Sequence, residues 1–280
     1  MSLLRTIDAG RQAVLADPEW TAAERRSAID ALVAPDNGEA GLWLFTSGTT
    51  ARPKPRFRSV AAVTAMLERV RARLPPAVAG GRPSTVAMVP LHHGFGVLNS
   101  LLLVHLLGGT VHLGDADAAP TIIGEHDIRV LYAWPPHLVT LAERGVKTHL
   151  EWCVSSSRRL DAEVARHFAE RTGCSVRQQY GTTEAGPLTV DTGDPPDPAC
   201  VGTALDGIDL RVVDGDGTEQ PAGTEGRVAV RPSEWFAPQL EPASDGRYYP
   251  GDRGWMDAEG RLFLTSRDPP FYDERADVGG

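Results

Sequence analysis

A run of hydroxyl-bearing residues and glycine, followed by a lysine, lies in the stretch LFTSGTTARPKPRF at residues 44–57. Hydroxyl and backbone N–H groups donate hydrogen bonds to phosphate oxygens, and an ammonium group adds a positive charge at the same place. The stretch therefore indicates a phosphate-binding loop, although an ordinary polar turn after a strand has the same composition. The residues concerned are Thr46, Ser47, Gly48, Thr49, Thr50 and Lys54.

This loop differs from the one that nucleoside triphosphatases use, whose pattern is G-x-x-x-x-G-K-[ST]. With Lys54 placed on the lysine of that pattern, Gly48 takes the first glycine position. However, Pro53 takes the second glycine position and Pro55 takes the position of the magnesium-binding hydroxyl. Proline has no N–H group with which to hold a phosphate. The pattern therefore excludes a triphosphatase or kinase loop of that type.

A second polar stretch, YGTTEAG at residues 180–186, comes at the end of the predicted strand 175–181. Ligands collect outside the carboxyl ends of the strands in a parallel sheet, which is where this stretch would lie. Tyr180 offers a ring that can stack on a base, Thr183 offers a hydroxyl for phosphate, and Glu184 offers a hard oxygen ligand for Mg²⁺. Taken alone, the stretch is also compatible with a strand-end turn that one glutamate caps.

A third stretch, DGRYYPGDRGWMDAEGRLFLTSRD, covers residues 245–268. Asp252 follows a glycine, and an ionised carboxylate has two oxygens that can accept hydrogen bonds from both ribose hydroxyls. Arg267 stands at the end of a predicted strand, from which its guanidinium can reach ribose or phosphate. Because an aspartate in a glycine turn is most often a turn residue, this interpretation depends on the other two stretches.

Apolar strands alternate with helical segments up to residue 181, which predicts an α/β fold whose mostly parallel sheet is flanked by helices. The predicted strands of this part are 42–45, 85–90, 110–113, 129–134, 150–156 and 175–181. After Pro187 the pattern changes to short strands separated by Gly-Asp and Gly-Thr turns, at 209–214, 226–232 and 261–266. We therefore predict an α/β portion over 1–187 and a β-rich subdomain over 188–280.

The composition limits the classes of partner. The 280 residues carry a net charge of −9 at neutral pH, which argues against nucleic acid and against an anionic membrane surface. The most hydrophobic segment, at 97–107, is too short to span a bilayer, and the amino terminus does not have the pattern of a signal peptide. The three cysteines show no CxxC spacing. We expect a soluble, cytoplasmic protein with reduced thiols.

Taken together and in this order, the three stretches resemble the adenylate-forming acyl and aryl acid ligases, which include acyl-CoA synthetases, peptide-synthetase adenylation domains and luciferases. The phosphate loop of that superfamily, T-S-G-T-T-G-x-P-K, matches residues 46–54 except that Ala51 replaces the last glycine. Its Y-G-x-T-E motif is matched at 180–184. Its Y-x-T-G-D motif is similar to residues 248–252, with Pro250 in place of threonine. The resemblance thus accounts for prolines in this loop, which the triphosphatase pattern does not.

Further segments between residues 40 and 268 are similar to motifs of the same superfamily. Residues 90–93, Pro-Leu-His-His, resemble a wall of its acyl pocket, and Ser266–Arg267 resembles the G-R pair near its hinge. Residues 155–160 resemble its Gly-Gly-Ala adenine loop, with serines in place of both glycines. The resemblance implies nucleotide-binding roles for Thr46, Ser47, Gly48, Thr49, Thr50, Ser156, Ser157, Tyr180, Gly181, Asp252 and Arg267.

The resemblance also implies a reaction. The carboxylate of a small acid attacks the α-phosphorus of ATP, pyrophosphate leaves, and an acyl-AMP forms before the acyl group passes to a thiol or an amine. The thiol would belong to coenzyme A or to the pantetheine of a carrier protein. Lys54, Thr183 and Glu184 would be the catalytic residues, with Mg²⁺ on Glu184, and positive charge there would neutralise phosphate before the anionic attack. His93 and Phe95 would line the acyl pocket, a role that we favour over metal binding for His93.

Two departures from the superfamily lead to an alternative. Its members carry a small mobile C-terminal domain with a lysine that contacts the α-phosphate and the carboxylate. Here the printed sequence ends at Gly280, with Pro269–Pro270 where the hinge acid is expected, and the phosphate loop comes early. We therefore expect a chain truncated at both ends, whose missing lysine domain a separate chain would supply. The alternative is a degenerate, catalytically weak scaffold or regulator that binds a nucleotide or an acyl group.

Overall fold

The computed structural model describes residues 9–32, 38–46 and 54–267. Its strands are β1 (Gln12–Val14), β2 (Gly41–Thr46), β3 (Lys54–Ser59), β4 (Ser84–Ala87), β5 (Thr110–Leu113), β6 (Val130–Ala133), β7 (Trp152–Ser155), β8 (Val176–Thr182), β9 (Gly186–Val190), β10 (Cys200–Ala204), β11 (Leu210–Val213), β12 (Gly226–Val230), β13 (Asp252–Met256) and β14 (Arg261–Arg267). Its helices are α1 (Ala22–Asp30), α2 (Val60–Arg71), α3 (Pro76–Ala79), α4 (the π-helical Gly96–Leu103 and the α-helical Val104–Leu106), α5 (Ala119–Glu125), α6 (Pro135–Glu143) and α7 (Ala162–Thr172).

The largest sheet in these ranges has nine strands, in the order β11-β12-β13-β14-β10-β9-β8-β7-β6. Strands β6, β7 and β8 run parallel to one another, and α6 and α7 connect them. From β8 onward each neighbouring pair is antiparallel. The predicted α/β fold with flanking helices is confirmed, and the later antiparallel strands extend the same sheet.

Two smaller sheets complete the described strands. β1 pairs in parallel with β2, and β2 pairs antiparallel with β3. β4 and β5 form a parallel pair, and the Arg129 N–H, immediately before β6, donates to the Ser84 carbonyl of β4 at 3.0 Å. This hydrogen bond joins the parallel pair to the edge of the nine-stranded sheet.

Strands β6 and β7 are buried on both faces. In β6, Val130 and Tyr132 belong to one hydrophobic cluster, whereas Leu131 and Ala133 belong to another. Successive side chains of a strand point to opposite faces, so the two clusters cover the two sides of the sheet. A strand buried in this way has no polar alternation, which is why its sequence is a continuous apolar run.

Local signals in the sequence set the helix ends. The Thr21 hydroxyl accepts from the Glu24 N–H at the start of α1, and the Glu24 carboxylate accepts from the Thr21 N–H, which together form a capping box. Ser59 caps α2, and its hydroxyl accepts from the Ala62 N–H at 3.1 Å. Gly173 ends α7 with a left-handed φ of 75°, a conformation that glycine adopts without steric cost.

The parallel strands decide where candidate functional residues meet. Trp134 follows β6, Ser156 follows β7, and Thr183 follows β8, all at the carboxyl edge of neighbouring strands. The predicted boundary at residue 187 falls inside β9, and the division into two portions stays a prediction. In the three described ranges, no helix combines the length and the apolar character that crossing a membrane requires.

Candidate active site

The two ends of the predicted phosphate loop lie side by side. Thr46 is the last residue of β2, Lys54 is the first residue of β3, and the two are paired in the antiparallel register. The other predicted loop residues, Ser47, Gly48, Thr49 and Thr50, lie outside the described residues. The hairpin therefore holds the exposed Lys54 directly opposite a threonine.

The face of β3 that carries Lys54 also carries two arginines, because side chains at positions i, i+2 and i+4 of a strand share one face. The Arg56 Nη2 lies 3.5 Å from Glu184 Oε1, and the Arg56 Nη1 donates to the Gln239 carbonyl at 3.3 Å. Glu184 lies in the turn between β8 and β9. An ion pair thus joins the strand that begins with Lys54 to the Y-G-x-T-E motif.

Hydroxyl groups surround Glu184. The Tyr248 hydroxyl lies 3.5 Å from Glu184 Oε2 and 3.2 Å from the Thr182 hydroxyl, which in turn accepts from the Ala185 N–H at 3.0 Å. Burial raises the pKa of Tyr248, and the charge of Glu184 raises it further, so that the phenol stays protonated as a donor. Thr183 stands between these residues in the turn and is half-buried.

A close approach of two strands explains the glycine of this motif. A Cβ at Gly181 would clash with the backbone of Gly186 and Pro187, which β9 brings against β8. Glycine at this position is therefore required by packing, whatever its predicted contact with nucleotide. That contact stays a prediction.

The predicted ribose-binding pair lies beside the same motif. The Tyr180 hydroxyl donates to Asp252 Oδ2 at 2.7 Å, and the Arg267 Nε lies 3.7 Å from Asp252 Oδ1. Burial raises the pKa of the Tyr180 phenol well above its usual value, and the charge of Asp252 acts in the same direction. The register pairs Asp252 with Arg267 across β13 and β14, so that the two predicted residues are strand neighbours.

The two serines that replace glycines after β7 differ in conformation. The Ser156 hydroxyl is buried and donates to the Gln179 carbonyl at 2.6 Å, which ties the end of β7 to β8. Ser157 is exposed and has a φ of 71°, the left-handed region that favours glycine. The two positions therefore accept a side chain at different steric cost.

The predicted acyl-pocket residues belong to an aromatic cluster. The ring of His93 meets that of Trp134 edge-on at 5.2 Å between centroids, and Phe95 meets Tyr132 edge-on at 6.1 Å. The Arg158 guanidinium lies 5.6 Å from the Trp134 ring. Burial lowers the pKa of His93, and nearby positive charge lowers it further, which favours the neutral imidazole.

The carboxyl edge of the sheet is thus connected through side chains to both the β2–β3 hairpin and the β13–β14 hairpin. At the level of sequence, residues 5–237 match the family described as AMP-binding enzyme. The chain belongs to this family. The predicted resemblance to adenylate-forming ligases is confirmed by this match and by relatives that are acyl-CoA synthetases.

Known relatives of this chain are distant in sequence, and solved structures among them are similar in fold. The probable CoA ligase CCL9 of Humulus lupulus is 26% identical over 265 residues, which cover 86% of this chain and 50% of the relative. The crystal structure of ATP-bound MatB from Rhodopseudomonas palustris has a TM-score of 0.70 at 25% identity, over 81% of this chain and 48% of MatB. The amide bond synthetase McbA from Marinactinospora thermotolerans has a TM-score of 0.67 at 26% identity, with the same coverages. The chain spans about half the length of these relatives.

Magnesium fits the donor groups of this site. Within the described ranges, no group of three or more histidine, cysteine, aspartate or glutamate residues is placed to hold a metal. Mg²⁺ commonly takes one or two protein carboxylates together with substrate phosphates, so that it needs no such group. The side chain of Glu184 is 21% exposed, and its carboxylate is an oxygen donor of the kind that Mg²⁺ prefers.

Three residues of this site were given no function from the sequence: Arg56, Thr182 and Tyr248. The signal for Arg56 was present, since basic residues alternate at positions 54, 56 and 58, which is strand spacing. Tyr248 is the first residue of the segment that resembles Y-x-T-G-D. No local pattern indicates the hydrogen bond between Thr182 and Tyr248, because 66 residues separate them.

Proposed function

We propose that this chain binds ATP and activates a small carboxylic acid as an acyl-adenylate, with release of pyrophosphate. One observation carries the proposal. Arg56 lies 3.5 Å from Glu184, which lies 3.5 Å from the Tyr248 hydroxyl, and Tyr180, in the strand that ends at the same turn, donates to Asp252 at 2.7 Å. These are groups that suit phosphate and ribose, and they come from three separate segments of the chain.

The charges of the site suit an attack of one anion on another. A carboxylate approaching the α-phosphorus is repelled unless positive groups first neutralise the phosphates. Lys54 would bind the β- and γ-phosphates as a point charge, and the Thr183 hydroxyl would donate to phosphate. Mg²⁺, when bound through Glu184, would supply further positive charge to the phosphate oxygens. Asp252 would accept from the ribose hydroxyls, held in place by Tyr180.

The aromatic cluster supports an apolar or aryl acid as the substrate class. Phe95 packs edge-on against Tyr132 of β6, and Trp134 follows β6 at the carboxyl edge of the sheet. Aromatic walls bind flat or apolar groups through area and edge contacts. His93, kept neutral by its surroundings, would contribute a polar contact without a charge.

The acceptor of the acyl group would be a thiol or an amine. Relatives of this chain include CoA ligases and an amide bond synthetase, which supports coenzyme A, a carrier-protein pantetheine or an amine as acceptor classes. The lysine that the resemblance implies at the α-phosphate would come from another polypeptide segment or from a partner chain. The experiment described next therefore includes a sample to which such a segment is added.

The test is pyrophosphate release from ATP and Mg²⁺ over a panel of aryl, aliphatic and dicarboxylic acids, with and without a candidate lysine-bearing domain. We expect release to depend on the acid and to fall by about 10²- to 10³-fold in Glu184→Gln. Glu259→Gln, which changes an exposed glutamate of the β13–β14 turn, is the matched control. Absence of acid-dependent release in every arm contradicts the ligase.

A second candidate is nucleotide binding without turnover, as in a scaffold or a regulator. The ion pair between Arg56 and Glu184 favours it, because a carboxylate that is already paired is less available to a metal ion. The same panel separates the two candidates. ATP or AMP that stabilises the protein against heat, with no pyrophosphate from any acid, supports the scaffold.

A further inference from the structure

Positive charge is in excess on one face of β3. Lys54, Arg56 and Arg58 share that face by strand alternation, and Glu184 is the carboxylate that pairs with Arg56 and acts on Arg58. Arg56 and Arg58 thus share the charge of Glu184, and with Lys54 on the same face positive charge is in excess among these residues. Such an excess on a partly closed surface attracts a polyanion.

The contacts of Arg56 leave its guanidinium incompletely bonded. It reaches Glu184 through one N–O distance of 3.5 Å, longer than the charge-assisted hydrogen bonds that arginine makes with carboxylates. Its Nε is buried and, among the described residues, has no hydrogen-bond partner. Because a guanidinium has five N–H donors in a planar fork, Arg56 can take a second acceptor or exchange the first.

Arg58 is a second arginine on this face, and its guanidinium lacks hydrogen bonds to residues in the described ranges. Its side chain is 1% exposed, and none of its three guanidinium nitrogens has a hydrogen-bond partner among the described residues. Burial lowers the pKa of Arg58 to about 10, against the attraction of Glu184, so that the group stays charged at neutral pH. Burying a charged group that makes no hydrogen bonds lowers the stability of the fold, and such groups often have a function.

We propose that Arg56 is a triphosphate-binding residue that is held by Glu184 in the ligand-free protein and exchanges this carboxylate for a phosphate when ATP binds. The inference rests on the proposed function, since it requires that the triphosphate lies at Lys54. A phosphate carries more charge than a carboxylate and accepts the guanidinium fork bidentately, which favours the exchange. The exchange also releases Glu184 from its cation at the time when a metal ion would need it. Glu184 would thus hold Arg56 before ATP binds and would be available to a metal ion afterwards.

The test is a double-mutant cycle on the binding of inorganic triphosphate and of ATP, measured by calorimetry in EDTA at low salt. Glu184→Gln removes the partner of Arg56, so we expect metal-free triphosphate to bind about fivefold more tightly than in the wild type. Arg56→Gln should weaken binding by about tenfold. In the Arg56→Gln background, Glu184→Gln should change the affinity by less than about twofold. The non-additivity is the expected signature.

Two further variants support the interpretation. Arg56→Lys should recover part of the lost affinity, because it keeps the charge but not the bidentate geometry. Arg71→Gln, which removes a partly exposed arginine of α2 that pairs with Glu68, is the matched control and should bind as the wild type does.

Three outcomes would overturn the inference. One is an equal gain from Glu184→Gln with and without Arg56, which would mean simple repulsion between the carboxylate and phosphate. A second is unchanged binding in Arg56→Gln, and a third is no triphosphate binding by any variant. If the effects of the two substitutions on triphosphate affinity are additive but the chain still releases pyrophosphate, this inference alone is rejected. If the effects are coupled but no acid gives pyrophosphate release, only the proposed ligase activity is rejected.

Discussion

Tyr180 and Asp252 are 72 residues apart in sequence, yet the hydroxyl of the tyrosine donates to Oδ2 of the aspartate at 2.7 Å. Tyr180 is buried in β8, and Asp252 is the first residue of β13. The hydrogen bond fixes the carboxylate beside the turn that carries Glu184. It also gives Asp252, at a glycine turn, the defined position that the proposed binding of ribose requires.

The first prediction concerns this carboxylate. In Asp252→Asn, the amide can no longer accept from both ribose hydroxyls as a charged group. We expect the wild type to bind ATP about ten- to hundredfold more tightly than 2′,3′-dideoxy-ATP, and the variant to lose most of this difference. Calorimetry with the two nucleotides measures it.

Glu259→Gln provides the control for that measurement, because it removes an exposed acid from the turn between β13 and β14. It should discriminate between the two nucleotides as the wild type does. Equal discrimination in the wild type and in Asp252→Asn would show that the aspartate serves only the hydrogen bond to Tyr180.

The second prediction concerns Lys54. If its ammonium contacts the β- and γ-phosphates, Lys54→Gln should weaken ATP binding by about tenfold and leave AMP binding within about twofold of the wild type. Calorimetric titration with both nucleotides tests this. The other lysine of the chain, Lys147, is exposed, and Lys147→Gln is the matched control. A parallel loss of ATP and AMP affinity would place the lysine elsewhere on the nucleotide.

The third prediction separates two adjacent serines. Ser157 has a φ of 71°, so Ser157→Gly should relieve backbone strain and raise the free energy of unfolding by up to about 1 kcal/mol. Ser156→Gly should instead lower it by about 1–3 kcal/mol, because the Gln179 carbonyl loses its buried donor. Urea unfolding of the two variants measures both changes. Changes of the same sign would contradict the assignment.

The fourth prediction concerns pH. Burial lowers the pKa of His93 below 6.5, and the charges of His92 and Arg158 act in the same direction, so that below that pH the unfolded chain binds more protons than the folded one. The stability that this group contributes is therefore complete above about pH 6.5 and decreases on acidification, by at most about 1.4 kcal/mol per pH unit.

The measurement is urea unfolding between about pH 7.5 and about pH 5.5. His93→Asn should show a shallower loss of unfolding free energy on acidification than the wild type. The same substitution at the exposed His149 controls for the removal of an imidazole. If His93→Asn follows the wild-type slope, His93 is not the group responsible.

The fifth prediction concerns Arg58 in the ligand-free protein. The guanidinium of Arg58 is buried and has no hydrogen-bond partner in the part of the chain that the structure describes, so an apolar side chain of similar length removes a desolvation cost. Arg58→Met should therefore raise the free energy of unfolding by about 1–4 kcal/mol. Arg71→Met, at a partly exposed position of α2, is the comparison. A large loss of stability in Arg58→Met would show that an anionic partner already neutralises the guanidinium.

Much of the fold was predictable because its signals are local. The capping box at Thr21 and Glu24, the Ser59 cap and the terminating Gly173 each act within a few residues, and they lie at the starts of α1 and α2 and at the end of α7. Continuous apolar runs at β6 and β7 indicated strands buried on both faces. The strands after residue 187 were predicted from their turns, but no local signal indicates that they pair onto the same sheet as β8.

For the site, residue types and spacing in the sequence determined which chemical groups are available: the hydroxyls of a loop and the ammonium of Lys54, the carboxylate of Glu184 that we propose for Mg²⁺, and the carboxylate of Asp252 that we propose for ribose. Only the tertiary structure decided their partners. Arg56 pairs with Glu184, and Tyr180 holds Asp252, because strands distant in sequence pack beside one another. Backbone and side-chain periodicity are encoded within a few residues, whereas such contacts depend on the order and register of the strands, which only the packing of the whole chain sets.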